Sequence, residues 1–144
     1  MSKKTIIDKR IFYKLTISQR LLMKHIDRET VEELGVSVNQ IAALFYISKN
    51  DGCLFKDLSR VLFQNKSATT TLVERMIKNE LIIKKSSETD KRAIHIFLTE
   101  KGRQISKKAK PLISRYNKKV TDVFDETEIE TVHKFLDYII ENYE

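Results

Sequence analysis

The sequence predicts a mainly α-helical fold with a small β-hairpin, in the arrangement of a winged helix-turn-helix. The apolar residues Ile94, Ile96 and Leu98 recur at every second position, which is the period of a strand with one buried face. A second β-prone run, residues 81–85, precedes this strand, and a polar segment separates the two. Directly before the hairpin, residues 65–78 have the pattern of an amphipathic helix with a hydroxyl-rich outer face. A helix followed by a basic-tipped hairpin suits contact with two grooves of DNA at once.

The first two helices are predicted from apolar spacing and from their end signals. Apolar residues recur at helical intervals from Ile6 to about Leu34, and Gly35 then ends the helix. Ser37 and Gln40 form a capping box that starts the second helix. This helix is expected to stop at the turn sequence of residues 50–52.

Two further helices are expected before the hairpin. The third covers residues 56–62, and the fourth runs from its N-cap Asn65 to about Asn79. Asn79 is expected to take the left-handed conformation that ends a helix. Phe63 lies in the turn between these helices and is interpreted as a core residue.

The two helices after the hairpin complete the predicted order. Thr99 is expected to cap a fifth helix that runs to about Phe124 and bends at Pro111. A sixth helix starts within residues 125–127. Both ends of the chain then carry apolar stripes with little else to cover them, which predicts a homodimer; packing of these helices on the central lobe is the alternative. We divide this single domain into a winged lobe (36–103) and dimerisation helices (1–35 and 104–144).

Composition and charge narrow the class of function. The net charge is +7, and it is segregated: residues 104–119 carry +6 and residues 120–144 carry −7. A basic body favours a polyanionic partner such as double-stranded DNA. The three glycines form no phosphate loop and no nucleophile elbow, so an enzyme is not expected, nor is a cofactor. A single cysteine, no secretory signal and no apolar run long enough for a membrane span predict a cytoplasmic protein.

The fourth helix has two separable faces. Its apolar residues are expected to point inward: Ala68, Leu72, Val73, Met76 and Ile77. The hydroxyl side chains of Ser67, Thr70 and Thr71 point outward, where they are short enough to let the helix sit deep in a major groove. Glu74 also faces outward and is interpreted as the partner of Lys78 in an i, i+4 ion pair.

The loop of the hairpin, or wing, adds basic side chains. Arg92 near its tip is suited to a narrow minor groove, and Asp90 is placed to orient that guanidinium or to pin the loop through another arginine. The remaining lysines would follow the DNA backbone. The predicted DNA-contacting residues are therefore Asn65, Lys66, Ser67, Thr70, Thr71, Arg75, Lys84, Lys85, Asp90, Lys91 and Arg92. A solvated helix face and a solvated charged turn are the alternatives.

These motifs resemble the MarR family of bacterial transcriptional regulators over essentially the whole chain. Residues 34–40, LGVSVNQ, resemble the family's entry into its second helix, and residues 68–75, ATTTLVER, resemble its recognition helix. The wing carries the most specific match, with Asp90-Lys-Arg92 followed by residues 98–102, LTEKG. The resemblance implies a dimer on a pseudo-palindromic operator, most simply as a repressor, with Arg92 in the minor groove and Asp90 supporting the wing. Residues 63–64 and 79–80 depart from the family pattern.

Such regulators often respond to a small molecule bound between the winged lobe and the dimer helices. The candidate contacts for a small aromatic or amphipathic effector are Phe12, Tyr13, Tyr46 and Ile47. Aromatic residues at helical spacing are also common in cores, which is the alternative interpretation. Two further alternatives stay open, namely a redox sensor based on Cys53 and a winged-helix protein that binds nucleic acid or protein without sequence preference. The three histidines lack metal-ligand spacing, so no metal site is expected.

Overall fold

A computed structural model describes residues 10–144, which form six helices and three strands. The elements are α1 (Ile11–Leu34), α2 (Val38–Lys49), β1 (Cys53–Leu54), α3 (Phe55–Val61), α4 (Lys66–Lys78), β2 (Ile82–Ser86), β3 (Ile94–Leu98), α5 (Glu100–Thr121) and α6 (Glu126–Asn142). This order confirms the predicted mainly α fold with a β-hairpin wing. The predicted start of the first helix at Ile6 lies outside the described residues. The fifth helix ends at Thr121, three residues before the predicted Phe124.

The sheet has one strand more than predicted. β3 is central and pairs antiparallel with both β2 and β1, in the order β1-β3-β2. In β1, Cys53 lies opposite Ile96 and Leu54 lies opposite His95. A two-residue strand is too short to show alternation, so its sequence gives no strand signal. The strand joins the end of the α2 turn to the base of the wing.

The chain divides into two compact units, one ending at Ala109 and the other running from Lys110 to Glu144. The first unit holds the sheet and helices α1 to α4. Its core is apolar and shared by these elements, because α2, α3, α4 and the hairpin each contribute fully buried side chains. The largest of these are Ile41, Leu44, Ile47, Leu58, Met76, Leu81, Ile82 and Ile96.

The caps expected from sequence are formed. The Ser37 hydroxyl accepts a hydrogen bond from the Gln40 backbone N–H, and the Gln40 side chain accepts one from the Ser37 N–H. Asn65 caps α4 by accepting from the Ala68 N–H at 2.8 Å. Each cap satisfies a backbone donor that the helix itself leaves without a partner.

The inward face of α4 differs from the prediction at two neighbouring positions. Thr69 is fully buried, whereas Ala68 is exposed. Thr69 tolerates burial because its hydroxyl donates to the Asn65 carbonyl at 3.1 Å, which leaves its methyl group to pack. Alanine has little apolar surface to lose, so exposing Ala68 costs little.

Two turns also correct the sequence interpretation. Phe63, predicted to be buried, is 70% exposed and has a φ of +51°. At the end of α4 the left-handed residue is Glu80 (φ +61°) rather than Asn79. Both turns close by a pair of backbone hydrogen bonds that satisfies the last carbonyls of the preceding helix, the Schellman motif, in which glycine is the usual left-handed residue.

The sequence LTEKG at residues 98–102 fixes the start of α5 against the base of the wing. The Thr99 hydroxyl accepts from the Gly102 N–H at 3.0 Å and donates to the Glu80 carbonyl at 2.6 Å. A Cβ atom at Gly102 would collide with the backbone carbonyl of Leu81. Glycine is therefore required here for close packing of α5 on the strand that begins the wing.

Candidate nucleic-acid interface

Helix α4 presents a polar face that begins at its N-terminus. Lys66, Ser67 and Thr71 are exposed, and Thr70 is half-buried. Arg75, one turn beyond Thr71, is exposed as well. The face therefore combines short hydroxyl side chains with two cations, and the N-cap end adds the partial positive charge of a helix N-terminus.

The hydroxyl groups of Thr70 and Thr71 already donate hydrogen bonds within α4. Thr70 donates to the Lys66 carbonyl at 2.7 Å, and Thr71 donates to the Ser67 carbonyl at 3.2 Å. Each oxygen keeps lone pairs that can accept from a base amino group, and each methyl group remains available for a thymine methyl. In this rotamer each side chain can offer a partner only an acceptor oxygen and a methyl group.

The two lysines of β2 lie on opposite faces of the sheet, because successive residues of a strand alternate. Lys84 pairs with the buried Ile96 and shares its face. Lys85 packs on the other face, with its ammonium group 5.5 Å from the centre of the Phe97 ring. The two lysines are therefore not equivalent, although the sequence assigned both to the DNA backbone.

The tip of the wing is held by hydrogen bonds within residues 87–93. The Asp90 carboxylate accepts from the Arg92 backbone N–H at 3.0 Å, and the Ser87 hydroxyl accepts from the Asp90 N–H at 3.3 Å. Asp90 thus acts on the main chain of Arg92, whereas the sequence interpretation placed its bond on a guanidinium. Lys91 and Arg92 are exposed at this tip.

A cleft of about 610 Å³ lies between α4 and the wing. Five predicted DNA-contacting residues line it: Lys66, Thr70, Lys84, Asp90 and Arg92. Other lining residues come from β1 and α3, including Lys56, a basic side chain that the sequence analysis missed. Lys56 follows the two-residue strand that gave no signal, so its place beside the wing could not be read from the sequence. The cleft brings side chains from α3, α4, β2 and the loop to one surface.

Glu74 also lines this cleft and is exposed. The ion pairs found among residues 10–144 do not include the predicted one between Glu74 and Lys78. Asp51 makes two contacts that the sequence did not suggest, accepting from the Leu98 N–H at 2.9 Å and pairing with Arg103 at 3.5 Å. These bonds tie the α2 turn to the end of β3.

The four candidate effector contacts are not brought to this cleft. Phe12 is 85% exposed and Tyr13 is 49% exposed on α1, where Arg10 lies over the Tyr13 ring. Tyr46 is half-buried and Ile47 is fully buried within α2. The effector site therefore stays a prediction.

Cys53 does not have the environment of a reactive thiolate. Burial raises the pKa of its thiol, and the negative charges of Asp57 and Asp51 raise it further. His95 has a structural contact, since its Nδ1 atom lies 2.9 Å from the Gly52 carbonyl. Within residues 10–144 no group of three or more histidine, cysteine or acidic residues is arranged to hold a metal ion. Over the same residues, none of the helices combines the length and apolarity needed to cross a membrane.

The order of elements and the cleft between α4 and the wing define a winged helix-turn-helix protein. Residues 34–93 match the family model described as "MarR family". The HTH-type transcriptional regulator BilQ of Clostridioides difficile (strain CD3) is 29% identical over 93 residues, which cover 65% of this chain and 63% of that protein. The aligned part of this chain thus spans less than two thirds of that relative.

Solved structures give the same fold over almost the whole chain. A MarR protein from Peptoclostridium difficile is 26% identical with a TM-score of 0.85, covering 99% of this chain and 92% of that one. The S. aureus MepR–DNA complex has a TM-score of 0.86 at 16% identity, covering 95% of this chain and all of that one. The chain is therefore similar to the MarR family, in sequence over residues 34–93 and in fold over almost its whole length, and its relative BilQ is named as a transcriptional regulator.

Proposed function

We propose that this chain is a sequence-specific DNA-binding regulator, with α4 in the major groove and the wing in the adjacent minor groove. One observation carries the proposal: residues of α4, β2 and the wing loop line the same cleft, so they face one partner together. The outward residues of α4 are short enough for close approach to base edges, and Arg92 is exposed on a loop that its own hydrogen bonds fix. Similarity in fold to MepR, which was solved in a complex with DNA, supports DNA as the partner.

The chain is proposed to act as a homodimer on a pseudo-palindromic operator. Helix α6 supports this, because none of its residues is buried although it carries a continuous apolar face. Val132 and Ile140, which lie on this face, are each more than half exposed. A helix with such a face needs a covering surface, and a second copy supplies one with twofold symmetry. Two symmetric winged lobes would then require two half-sites.

We further propose that the protein represses transcription from within the cytoplasm and that a small aromatic or amphipathic effector releases it from DNA. The family resemblance supports this part, with Phe12, Tyr13, Tyr46 and Ile47 as the effector contacts. Phe12 and Tyr13 expose large aromatic surfaces on α1. A ring on a candidate effector can stack on such surfaces.

Selection of DNA from a random pool by the full-length protein tests the proposal. The expected result is an inverted-repeat motif whose half-sites are centred about one helical turn apart, the spacing that two recognition helices impose. Sedimentation of the bound complex should give two chains per duplex. A pool that shows no enrichment after several rounds, with binding that depends steeply on salt, would instead support a winged-helix protein without sequence preference.

A further inference from the structure

Phe63 has an unusual backbone conformation for a large side chain. It is the left-handed residue of the turn between α3 and α4, with a φ of +51°. Its N–H donates to the Arg60 carbonyl and the next N–H, of Gln64, donates to the Ser59 carbonyl, both at 3.1 Å. Glycine suits this position because a Cβ atom strains the left-handed conformation. Phenylalanine therefore keeps a strained backbone at the turn of the helix-turn-helix.

The Phe63 side chain gains no burial in return. It is 70% exposed, while Val61 and Ile83, the other large apolar residues exposed within residues 36–103, are exposed by 40% and 43%. The remaining exposed large apolar side chains lie on α1, near the end of α5 and on α6. These are the segments assigned above to the homodimer. The surface proposed for the dimer therefore does not account for Phe63.

The position of Phe63 in the chain indicates its partner. It lies two residues before the N-cap Asn65 and three before Lys66, at the end of α4 that the proposed function directs into the major groove. When a helix enters the groove with its N-terminus first, residues just before the N-cap reach the rim of the groove. Deoxyribose rings and thymine methyl groups offer apolar surface there.

We propose that Phe63 is a DNA-contacting residue whose ring packs on deoxyribose and thymine methyl surface at the rim of the major groove. The proposal rests on the function proposed above and adds an apolar contact beside the phosphate contact of Lys66. Because the ring is neutral, it contributes to affinity without displacing counterions from DNA. Its contribution is therefore independent of salt, which separates it from the lysine and arginine contacts.

Glu80 provides a matched control for the strain of the backbone. It is the left-handed residue of the second such turn, at the opposite end of α4, with a φ of +61°. Its side chain is exposed and polar. Phe63→Gly and Glu80→Gly both relieve the left-handed strain, so both should raise the melting temperature by a few degrees. Only Phe63→Gly removes an aromatic ring.

The test is fluorescence anisotropy on a duplex that the wild-type protein selects from a random pool, repeated over a range of salt concentrations. Phe63→Gly should weaken binding by about fivefold or more at every salt concentration, with an unchanged salt slope. Glu80→Gly should not weaken binding. Lys66→Ala should reduce the salt slope by about one.

Three outcomes would overturn the proposal. If Phe63→Gly lowers the affinity for DNA by less than about fivefold, the ring does not contact DNA. An equal loss in Glu80→Gly would assign the effect to the turns of α4 rather than to the ring. If the wild-type protein selects no duplex, both this proposal and the proposed function fail, whereas selection with unaffected Phe63→Gly binding overturns this proposal alone.

Discussion

The Asp90 carboxylate accepts a hydrogen bond from the backbone N–H of Arg92, with 3.0 Å between Oδ1 and N. Asp90 therefore fixes the main chain that carries the Arg92 side chain, and the guanidinium is left for another partner. The Ala93 N–H in turn donates to the Asp90 carbonyl at 3.0 Å. The acidic residue of the wing motif thus orders the loop in which the proposed minor-groove cation lies.

Replacing Asp90 should loosen the wing without unfolding the protein. In Asp90→Ala the Arg92 N–H loses its partner, so the amides at the tip should exchange with deuterium faster while the melting temperature changes little. DNA affinity should fall about tenfold, because Arg92 then has to be ordered on binding. Asp90→Asn keeps a side-chain acceptor and is expected to retain most of the affinity. Equal losses in both variants would show that the carboxylate charge, rather than its hydrogen bond, matters.

Asn65 has a structural role in addition to its predicted DNA contact. Its side chain caps α4, so Asn65→Ala should lower the free energy of unfolding by about 1 kcal/mol. Asn65→Asp keeps the cap but brings a negative charge to the end of the helix that is proposed to face DNA phosphates, so it should preserve stability and weaken DNA binding. Chemical denaturation and anisotropy separate the two effects. Asn65→Asp binding that equals wild type would place the cap away from DNA.

The glycine of the LTEKG sequence should be sensitive to a single methyl group. Gly102→Ala forces a Cβ atom onto the Leu81 carbonyl and should lower the free energy of unfolding by about 2 kcal/mol or more. Gly35→Ala is the matched comparison, since Gly35 has a φ of +72° but meets no atom within 4 Å. It should cost about 1 kcal/mol from backbone conformation alone. Equal costs in urea denaturation would contradict the close packing of α5 on Leu81.

Cys53 should react slowly with alkylating agents. Its pKa is raised by burial and by two aspartates, so the thiolate fraction at neutral pH is smaller than in free cysteine. The alkylation rate should keep rising with pH beyond the range in which free cysteine levels off. Asp57→Asn removes one of the raising charges and should speed the reaction. Rapid alkylation at neutral pH, or loss of DNA binding on mild peroxide treatment, would favour the redox-sensor alternative.

The sequence predicts well what depends on local hydrogen bonds. The caps at Ser37 and Asn65 form as expected because an N-cap side chain and the N–H groups it binds lie within three residues of each other. Apolar periodicity likewise predicts α4 and the two strands of the hairpin, which the structure contains. The resemblance to the MarR family rests on these same segments.

The sequence predictions fail at positions where contacts with the rest of the fold determine strand pairing or burial. Strand β1 exists because Cys53 and Leu54 find β3, a partner more than forty residues away. Thr69 takes the buried position predicted for Ala68 because its hydroxyl donates a hydrogen bond to the backbone. A scale of side-chain polarity does not include such a bond. Phe63, interpreted from the sequence as a core residue, is instead exposed at a left-handed turn. The DNA contact proposed for Phe63 depends on this exposure of its ring.

Sequence-specific DNA binding through α4 and the wing can be measured by competitive fluorescence anisotropy. A labelled selected duplex is competed with its own unlabelled copy and with a scrambled duplex of the same composition, for wild type, Thr71→Ala and Arg92→Ala. Wild type should prefer the selected duplex by about 10³-fold or more. Thr71→Ala should narrow this preference, and Arg92→Ala should weaken binding to the selected duplex. Equal competition by both duplexes for wild type would show that the protein does not recognise a DNA sequence.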